Sequence, residues 1–312
     1  MTTKLMDATQ TFSLLSDASH RAFPTGRHGS VLKRLKFVLR SWPYRNLHIA
    51  WYEFLHSNDL LRRLAEYDHR MYRKLYRPYV SASWDKPRVL AALKTNYTFF
   101  REKLPPYMLE EIFLSDSFLL AEWSSGNTYQ LKLSHDEKFY QEGEVTMSLS
   151  CPGLGEGSLA LLSGTFAPAQ DGAMAFYIGG IQGAARSLGI PAIKTAGRDM
   201  HGLRPKSLIV IAAQLLANQL GCKHILASSA AQHVYREDDR RRGGKHNKMF
   251  FDYDSFWEEC MGTRINDAFY SIPMLASRRR HEDMKPQKRP MYRRRYEMLD
   301  EIENALSRAL TP

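Results

Sequence analysis

The first third of the chain repeats hydrophobic residues with the period of an α-helix. One such run lies between residues 60 and 75, where hydrophobic side chains recur every three or four positions. Its members are Leu60, Leu61, Leu64, Tyr67, Met71 and Leu75. A second helical run covers 88–103, and Pro105 and Pro106 separate it from a further turn or two at 107–113. Residues 30–115 are therefore predicted to form a helical layer.

From residue 117 onwards the hydrophobic period shortens to that of β-strands. Five segments read as strands: 118–123, 128–133, 144–150, 159–166 and 173–180. The dipeptides Gly126-Asn127 and Asp171-Gly172 are typical turn residues between them. Because the connections are short, the strands are predicted to form an antiparallel meander.

The last third returns to a mixture of helices and strands. Pro205 is suited to a helix start and Gly221 to a helix end, so 205–220 is predicted as a strongly apolar helix. The other predicted elements are a buried strand at 224–227, a helix start at 230–236, a strand at 248–253 and helices at 255–261 and 291–310. The fold class is therefore α+β or α/β: an N-terminal helical layer, a mixed sheet with an antiparallel meander, a central helix and C-terminal helices.

The predicted organisation has four parts. Residues 1–29 are a flexible N-terminus, 30–115 the helical layer, 116–275 the α/β core, and 276–312 a basic segment with the C-terminal helix. No Ser- or Pro-rich linker separates the last three, so 30–312 is predicted to be one composite domain.

The positive charge is concentrated in two segments. The chain has 312 residues and a formal net charge of +11. Segment 18–52 contains seven cations and no acid, and segment 278–295 contains nine cations and two acids, so each carries +7. The rest of the chain is slightly acidic. We therefore expect the two basic segments to determine where the protein docks. Any catalytic activity would depend on the slightly acidic remainder of the chain.

The first basic segment contains an amphipathic helix that begins at Ser30, a good helix cap. Its hydrophobic residues are Val31, Leu32, Leu35, Val38 and Leu39, and its cations are Lys33, Arg34, Lys36 and Arg40. Such a helix can lie on an anionic membrane surface. The same pattern also arises in an ordinary helix that docks on the core and leaves its cations in water.

The second basic segment alternates arginine with aromatic residues. Its C-terminal part holds Arg293, Arg294 and Arg295 between Tyr292 and Tyr296. This mixture suits single-stranded nucleic acid or lipid phosphate. A solvated charged tail leading into the last helix is the alternative.

Composition excludes several protein classes. Three widely separated cysteines argue against a disulfide-built secreted domain, and without a CxxC pair no metal site is predicted. The N-terminus lacks a signal-peptide pattern, and the longest apolar stretch, 207–222, is too short to cross a bilayer. We therefore expect a cytoplasmic protein, with a peripheral position on the inner membrane left open.

One candidate site lies at the start of the predicted helix 205–220. Four basic side chains converge there: Arg198, His201, Arg204 and Lys206. A helix N-terminus favours anions, so these residues predict a phosphate or pyrophosphate site. Arg236, further along the chain, is added to this anion-binding set.

A second candidate site uses carboxylates and histidine. Glu142 and Glu144 bracket Gly143, and on an alternating strand both would face the same side, where one could serve as general base. His233 and Tyr235 follow a strand end, where ligand crevices often form. Each of these residues also has an ordinary structural interpretation, as a surface carboxylate or a hydrogen-bonded side chain.

The chain resembles the VirK/YbjX family of Gram-negative bacteria over roughly residues 30–305. The matching segments are 142–144, 177–183, 201–206, 221–229 and 233–236, followed by Tyr253, Phe256 and Trp257. The resemblance implies a role in envelope properties and virulence, including survival of cationic antimicrobial peptides. It implies no defined chemistry.

A weaker resemblance concerns the acyl-CoA N-acyltransferase (GNAT) fold. The order of meander, helix at Pro205 and strand at 224–228 is similar to its core, although the glycine-rich pyrophosphate turn is missing. The resemblance implies acyl-CoA or another acyl donor as cofactor, with Tyr235 at the position of the acid. Tyr177 and Gln182, which flank Gly179-Gly180, would line the cofactor site.

Three functions follow, in this order. The first is a GNAT-like acyl or aminoacyl transferase at the inner membrane face. The second is a non-catalytic factor that binds anionic lipid or a protein partner. The third is a nucleic-acid-binding regulator, which only the charge supports.

Overall fold

The computed structural model describes residues 7–24, 30–236, 251–280 and 282–311. Six helices form the N-terminal layer: α1 (Ala8–Ala22), α2 (Ser30–Ser41), α3 (Arg45–His56), α4 (Asp59–Tyr67), α5 (Lys86–Lys103) and α6 (Pro106–Leu114). Two 3-10 segments, Trp42–Tyr44 and His69–Tyr76, connect members of this layer. The helical layer predicted from the hydrophobic period is confirmed.

The sheet has eight strands in the described part of the chain. They are: β1 (Phe118–Ser125), β2 (Asn127–Ser134), β3 (Val145–Ser150), β4 (Ser158–Pro168), β5 (Met174–Gln182), β6 (His224–Ser228), β7 (Thr263–Arg264) and β8 (Phe269–Ile272). Their order across the sheet is β1-β2-β3-β4-β5-β6-β8-β7. The first five form the predicted antiparallel meander, and β6 then pairs parallel to β5. The mixed α+β class is thus confirmed.

Four more helices follow the meander: α7 (Gly189–Asp199), α8 (Pro205–Gln219), α9 (Tyr253–Glu259) and α10 (Arg289–Leu310). Helix α8 packs on β3, β4 and β5, and α10 packs on β1 and α8. Helix α5 reaches β4 through Phe99 and Phe100, whose rings lie 5.1 and 5.2 Å from that of Phe166. The buried side chains of the helical layer and the sheet form one continuous core.

Three local predictions differ from the structure. Residues 8–22 of the predicted flexible N-terminus form α1, because Asp7 caps it and Leu15, Ala18 and Ala22 bury one face. The run 60–75 is interrupted at Asp68, where an α-helix ends and a 3-10 segment begins.

The third difference concerns the predicted strand 248–253. Its first three residues lie outside the described part of the chain, and Tyr253 begins α9 because Asp252 caps that helix at Ser255. The sequence also predicts a basic, glycine-containing loop at 240–245, and this segment lies outside the described residues. Of the predicted helix start 230–236, residues Ala230–Gln232 form a single 3-10 turn and residues 234–236 are helical.

Candidate functional site

The segment that joins β2 to β3 crosses the sheet in close backbone contact. A Cβ atom added to Gly143 would lie 2.2 Å from the carbonyl oxygen of Gly164, and one on Gly179 would lie 1.9 Å from that of Glu142. Gly180 likewise leaves room only for the Glu142 side chain, whose Oε1 would be 2.0 Å from an added Cβ. The Gly179-Gly180 pair therefore admits this crossing segment.

Glu142 and Glu144 belong to this crossing segment, and both are buried. Their side chains have different surroundings. Glu144 accepts hydrogen bonds from Lys74 Nζ at 2.6 Å and from the hydroxyl of Tyr97. Lys74 also donates to the Tyr140 carbonyl at 2.9 Å. This carboxylate is fully paired, so it serves as an internal anchor between the helical layer and the sheet.

Glu142 is much less well satisfied. Its Oε1 lies 3.4 Å from His233 Nε2, but the two atoms are not aligned as a hydrogen bond, and neither has another partner among the described residues. Burial raises the pKa of the Glu142 carboxyl, and His233 only partly opposes this. The structure therefore brings Glu142 and His233 together, while Glu144 belongs to a separate cluster.

The Glu142–His233 pair lies where β5 and β6 stop pairing. Parallel pairing ends at Ile178 and Ala227, whereas β5 continues to Gln182 with a bulge at Gly179. The hydroxyl of Tyr253 takes the place of the missing strand, because it bonds to the backbone N–H and carbonyl of Ile181 at 3.4 and 3.3 Å. The chain thus fills the opening between these strands with its own side chain.

Four further predicted site residues make other contacts or face solvent. The Tyr235 ring lies 5.4 Å from that of His233, and its hydroxyl donates to Lys138 O at 3.4 Å. Tyr177 is buried and accepts a hydrogen bond from Arg88 Nη2 at 3.0 Å. Gln182 is exposed at the end of β5. Arg236 donates to Ala230 O at 3.4 Å.

The predicted anion residues come together only in part. Arg198, His201 and Arg204 line a surface cavity of 1180 Å³ between α7, the turn before α8, and α10, together with Lys194 and Arg294. Burial and the neighbouring Arg294 and Arg295 lower the pKa of His201. Arg204 is paired with Glu259 at 2.7 Å.

Lys206 does not line this cavity. Its Nζ lies 3.4 Å from the ring centroid of Phe251, and burial, with Arg204, lowers its pKa to about 8. The lysine at the N-terminus of α8 is therefore turned towards an aromatic ring and away from the other three cations.

Some arginines of the second basic segment are bound to other residues. Arg295 donates from Nε and Nη2 to the carbonyl of His201 at 3.1 and 2.7 Å, and it thereby fixes the turn between α7 and α8. Arg293 is paired with Glu297 at 3.7 Å. Arg294 is exposed beside the 1180 Å³ cavity.

Helix α2 divides into three sectors around its axis. Phe37, Val38 and Ser41 face the protein. Four hydrophobic side chains face solvent and are 55–75% exposed: Val31, Leu32, Leu35 and Leu39. Three exposed cations occupy the remaining sector: Lys33, Lys36 and Arg40. We call the last two sectors together the α2 surface.

One part of the docked-helix alternative is therefore wrong, because most of the hydrophobic residues of α2 do not face the core. Of the five hydrophobic residues in the pattern only Val38 is buried, because Phe37 and Ser41 take the inward positions. The Tyr76 hydroxyl bonds to the Phe37 carbonyl and to Ser41, and Arg34 donates to Phe23 O at 2.9 and 2.7 Å. These polar contacts fix the rotation of α2, so its apolar stripe points outwards.

A basic pocket adjoins the α2 surface. It has a volume of 260 Å³ and is lined by Lys33, Lys36 and Arg40 of α2, by Arg73 of the 3-10 segment and by Arg77 just after it. Sequence reasoning missed the last two. The repetition of cations at 70, 73, 74 and 77 was the available signal, because such spacing places side chains on one side of a helical segment.

The chain belongs to a known family. The model of the family described as protein of unknown function (DUF535) matches residues 27–308. The uncharacterized protein YbjX of Escherichia coli (strain K12) is 32% identical over 273 residues, which cover 86% of this chain and 81% of the relative.

A second relative, an uncharacterized protein of Haemophilus influenzae (strain ATCC 51907 / DSM 11121 / KW20 / Rd), is 23% identical over 299 residues, or 92% of this chain and 98% of that protein. No solved structure matches the chain. Within the described residues, none of the helices has the length and apolar character needed to cross a bilayer.

Proposed function

We propose that this protein binds the surface of an anionic bilayer through the α2 surface. The observation that carries the proposal is the outward apolar stripe of α2, with Val31 75% and Leu35 55% exposed. A soluble helix normally buries such a stripe against the core. Here the core takes a different side of the helix, so the stripe is free to enter the boundary between headgroups and acyl chains.

Charge favours a bilayer over other occupants of this stripe. Helix α2 contains no acid, and its cationic sector adjoins the apolar one. Each cation near an anionic surface contributes about 1 kcal/mol. Trp42 and Tyr44, both exposed, follow directly after the helix. Such aromatic residues prefer the membrane–water interface.

The proposal can be tested by co-sedimentation of the full chain with phosphatidylcholine vesicles that contain or lack phosphatidylglycerol. Binding is expected only to the anionic vesicles. The variant Leu35→Glu/Leu39→Glu should weaken it about 100-fold, because each leucine contributes roughly 1.5 kcal/mol on transfer from water.

A matched control places the same charges on hydrophobic residues elsewhere. Ile265 and Leu275 are 52% and 55% exposed, so Ile265→Glu/Leu275→Glu should leave vesicle binding unchanged. Equal losses in both variants, or equal binding to neutral vesicles, would contradict the proposal. Self-association of the wild type that Leu35→Glu/Leu39→Glu abolishes would instead assign the stripe to a second copy of the chain.

Bilayer docking agrees with the envelope role, virulence and antimicrobial-peptide survival that the family resemblance implies. A protein held at the cytoplasmic face by α2 would have its sheet and its 1180 Å³ basic cavity close to envelope components. An envelope role at the inner membrane face is therefore part of the proposal.

A second candidate function is acyl transfer in the manner of the GNAT fold. Three observations favour it: the bulge at Gly179, the end of β5–β6 pairing at Ile178, and the buried Glu142–His233 pair. In such a reaction an acceptor amine attacks the thioester carbonyl, the C–S bond breaks, and the thiol leaves after protonation. Glu142 or His233 would take the proton from the amine.

The acyl-transfer candidate faces one structural obstacle, the Tyr253 hydroxyl bound to Ile181. An acyl-CoA that enters between β5 and β6 would have to displace it. Calorimetric titration of the wild type with acetyl-CoA and long-chain acyl-CoA tests this. Binding that persists in Glu142→Gln would support the candidate, and the absence of heat with every acyl-CoA would remove it.

A further inference from the structure

The basic pocket beside α2 gathers five cations in a small volume. Lys33, Lys36 and Arg40 come from α2, Arg73 comes from the 3-10 segment His69–Tyr76, and Arg77 directly follows that segment. The lining contains no carboxylate among the described residues. Like charges at this proximity repel one another, and an anion bound among them would offset that repulsion.

Arg73 is the least satisfied of these cations. Its Nε is buried and finds no hydrogen-bond acceptor in the described part of the chain. The nearest acid that acts on it, Asp68, is already engaged by Arg70 at 2.9 Å and by His135 at 3.4 Å. Burial, followed by the charges of Arg70 and Arg77, lowers the pKa of Arg73. A buried N–H donor without an acceptor is unfavourable, and an anion at this point would supply one.

The guanidinium of Arg73 is also held in place before any ligand arrives. Its central carbon lies 5.1 Å from the ring centroid of Phe23, within the range of a cation–π contact. An oriented guanidinium matches the oxygen geometry of a phosphate better than an ammonium does. Preorganisation of this kind reduces the entropy lost on binding.

The size and position of the pocket restrict the ligand. A volume of 260 Å³ corresponds to about nine water molecules at roughly 30 Å³ each, which accommodates a phosphate group but not a whole lipid. Acyl chains attached to that phosphate would lie beside the apolar sector of α2, because the two sectors are neighbours on the same helix. Five cations also suit a doubly charged phosphate better than a singly charged one.

We infer that the pocket around Arg73 binds the phosphomonoester headgroup of an anionic lipid. The inference rests on the proposed docking of α2 on a bilayer, and it adds a preference for a phosphate dianion over a phosphodiester. Arg73 provides the oriented donors at the base of the pocket, and the α2 cations close its outer side.

The test compares vesicles that contain phosphatidic acid with vesicles that contain phosphatidylglycerol, at matched surface charge. The wild type should bind the phosphatidic acid vesicles about tenfold more tightly, as one additional charge-assisted hydrogen bond predicts. Arg73→Gln should abolish this preference and leave binding to phosphatidylglycerol intact. Arg45→Gln, which removes an exposed cation outside the pocket, is the matched control and should keep the preference.

The outcomes separate this inference from the proposed function. If the wild type binds no anionic vesicle, bilayer docking itself fails. If it binds both anionic vesicles equally at matched charge, docking stands and the headgroup pocket is overturned. If Arg73→Gln unfolds, Lys36→Gln on the exposed side of the pocket must reduce the preference, and an unchanged preference overturns the inference.

A soluble arm distinguishes lipid phosphate from free phosphate. Inorganic phosphate is added to the full chain, and the unfolding temperature is measured for the wild type and Arg73→Gln. A rise only in the wild type, combined with no preference between the two vesicles, would assign the pocket to free phosphate and overturn the lipid assignment. A vesicle preference that excess inorganic phosphate reduces would support it.

Discussion

The two basic segments of this chain carry the same net charge but differ in what their cations contact. In segment 278–295, Arg295 donates hydrogen bonds to the His201 carbonyl. Arg293 pairs with Glu297, and Arg278 pairs with Asp300 at 3.3 Å. In segment 18–52, Lys33, Lys36 and Arg40 have no salt bridge to any described residue and lie next to an exposed apolar stripe.

This difference shows that a local charge count does not by itself identify a docking surface. In segment 278–295, Arg278 and Arg293 are paired with acids and Arg295 binds the α7–α8 turn, so part of the charge of this segment is engaged within the protein. In α2, Arg34 is likewise bound to the Phe23 carbonyl, whereas Lys33, Lys36 and Arg40 leave their charge available to an anionic partner. The following predictions test whether the two segments really divide in this manner.

The largest expected difference concerns vesicle binding. Removing three α2 cations in Lys33→Gln/Lys36→Gln/Arg40→Gln should weaken binding to phosphatidylglycerol vesicles about 100-fold, since each contributes about 1 kcal/mol. The matched variant Arg280→Gln/Arg293→Gln/Arg294→Gln should change it less than about twofold. Co-sedimentation measures both, and a comparable loss in the second variant would erase the distinction between the segments.

The next prediction concerns a histidine that packs against the inward side of α2. His48 is buried, with its ring 6.0 Å from Phe37 and 5.0 Å from Tyr76. Burial, with Lys86, lowers its pKa from 6.5 to about 4. The unfolded chain therefore takes up a proton at a higher pH than the folded protein, and stability should fall as the pH decreases from 6.5 to 4.

The ceiling for this loss is about 3 kcal/mol, because each pKa unit corresponds to about 1.4 kcal/mol. Denaturant unfolding of the wild type and His48→Phe at pH 7 and pH 4.5 measures it. The wild type should lose more stability than the variant between these two values. Parallel pH profiles would show that protonation of His48 does not weaken the attachment of α2. The attachment of α2 and that of Arg295 to the His201 carbonyl would then not differ in their resistance to acid.

The C-terminal segment should instead respond in stability and not in binding. Arg295→Met removes two charge-assisted hydrogen bonds to the carbonyl of His201, a residue with a left-handed φ of 50°. We expect a loss of about 2 kcal/mol of unfolding free energy. Arg294→Met, an exposed neighbour, should lose much less. Unchanged vesicle binding in Arg295→Met would support the difference between the two basic segments, and a marked loss of binding would contradict it.

Much of the sheet could be predicted because its signals are local. β2 alternates buried and less buried residues, β4 and β5 are continuous apolar runs, and turn residues separate the strands of the meander, so their pattern is visible without knowledge of the fold. Strands β7 and β8 were missed because Thr263–Arg264 is only two residues long and Phe269–Ile272 only four. β8 pairs with β6, which is distant in the sequence, and β7 pairs only with the edge that β8 provides.

The candidate sites depended more strongly on long-range contacts. Glu142 and Glu144 were expected to face the same side, but the glycines at 143, 164, 179 and 180 let their segment cross the sheet and enter two different clusters. The amphipathic pattern of α2 was visible in the sequence. Its rotation was not, because Tyr76 and Phe23, from elsewhere in the chain, determine which side faces inwards.

The smallest expected effect concerns the exposed ion pair between Arg278 and Asp300. The two side chains are 45% and 50% exposed, so solvent screens their attraction. A double-mutant cycle with Arg278→Gln and Asp300→Asn should give a coupling energy below about 1 kcal/mol. A larger coupling energy would mean that surface ion pairs, rather than the two hydrogen bonds from Arg295 to the His201 carbonyl, attach this segment to the rest of the protein. A coupling near zero would leave those two hydrogen bonds as the main attachment of the segment, and the contrast with Lys33, Lys36 and Arg40 of α2 would then rest on a single half-buried contact that mutation can remove.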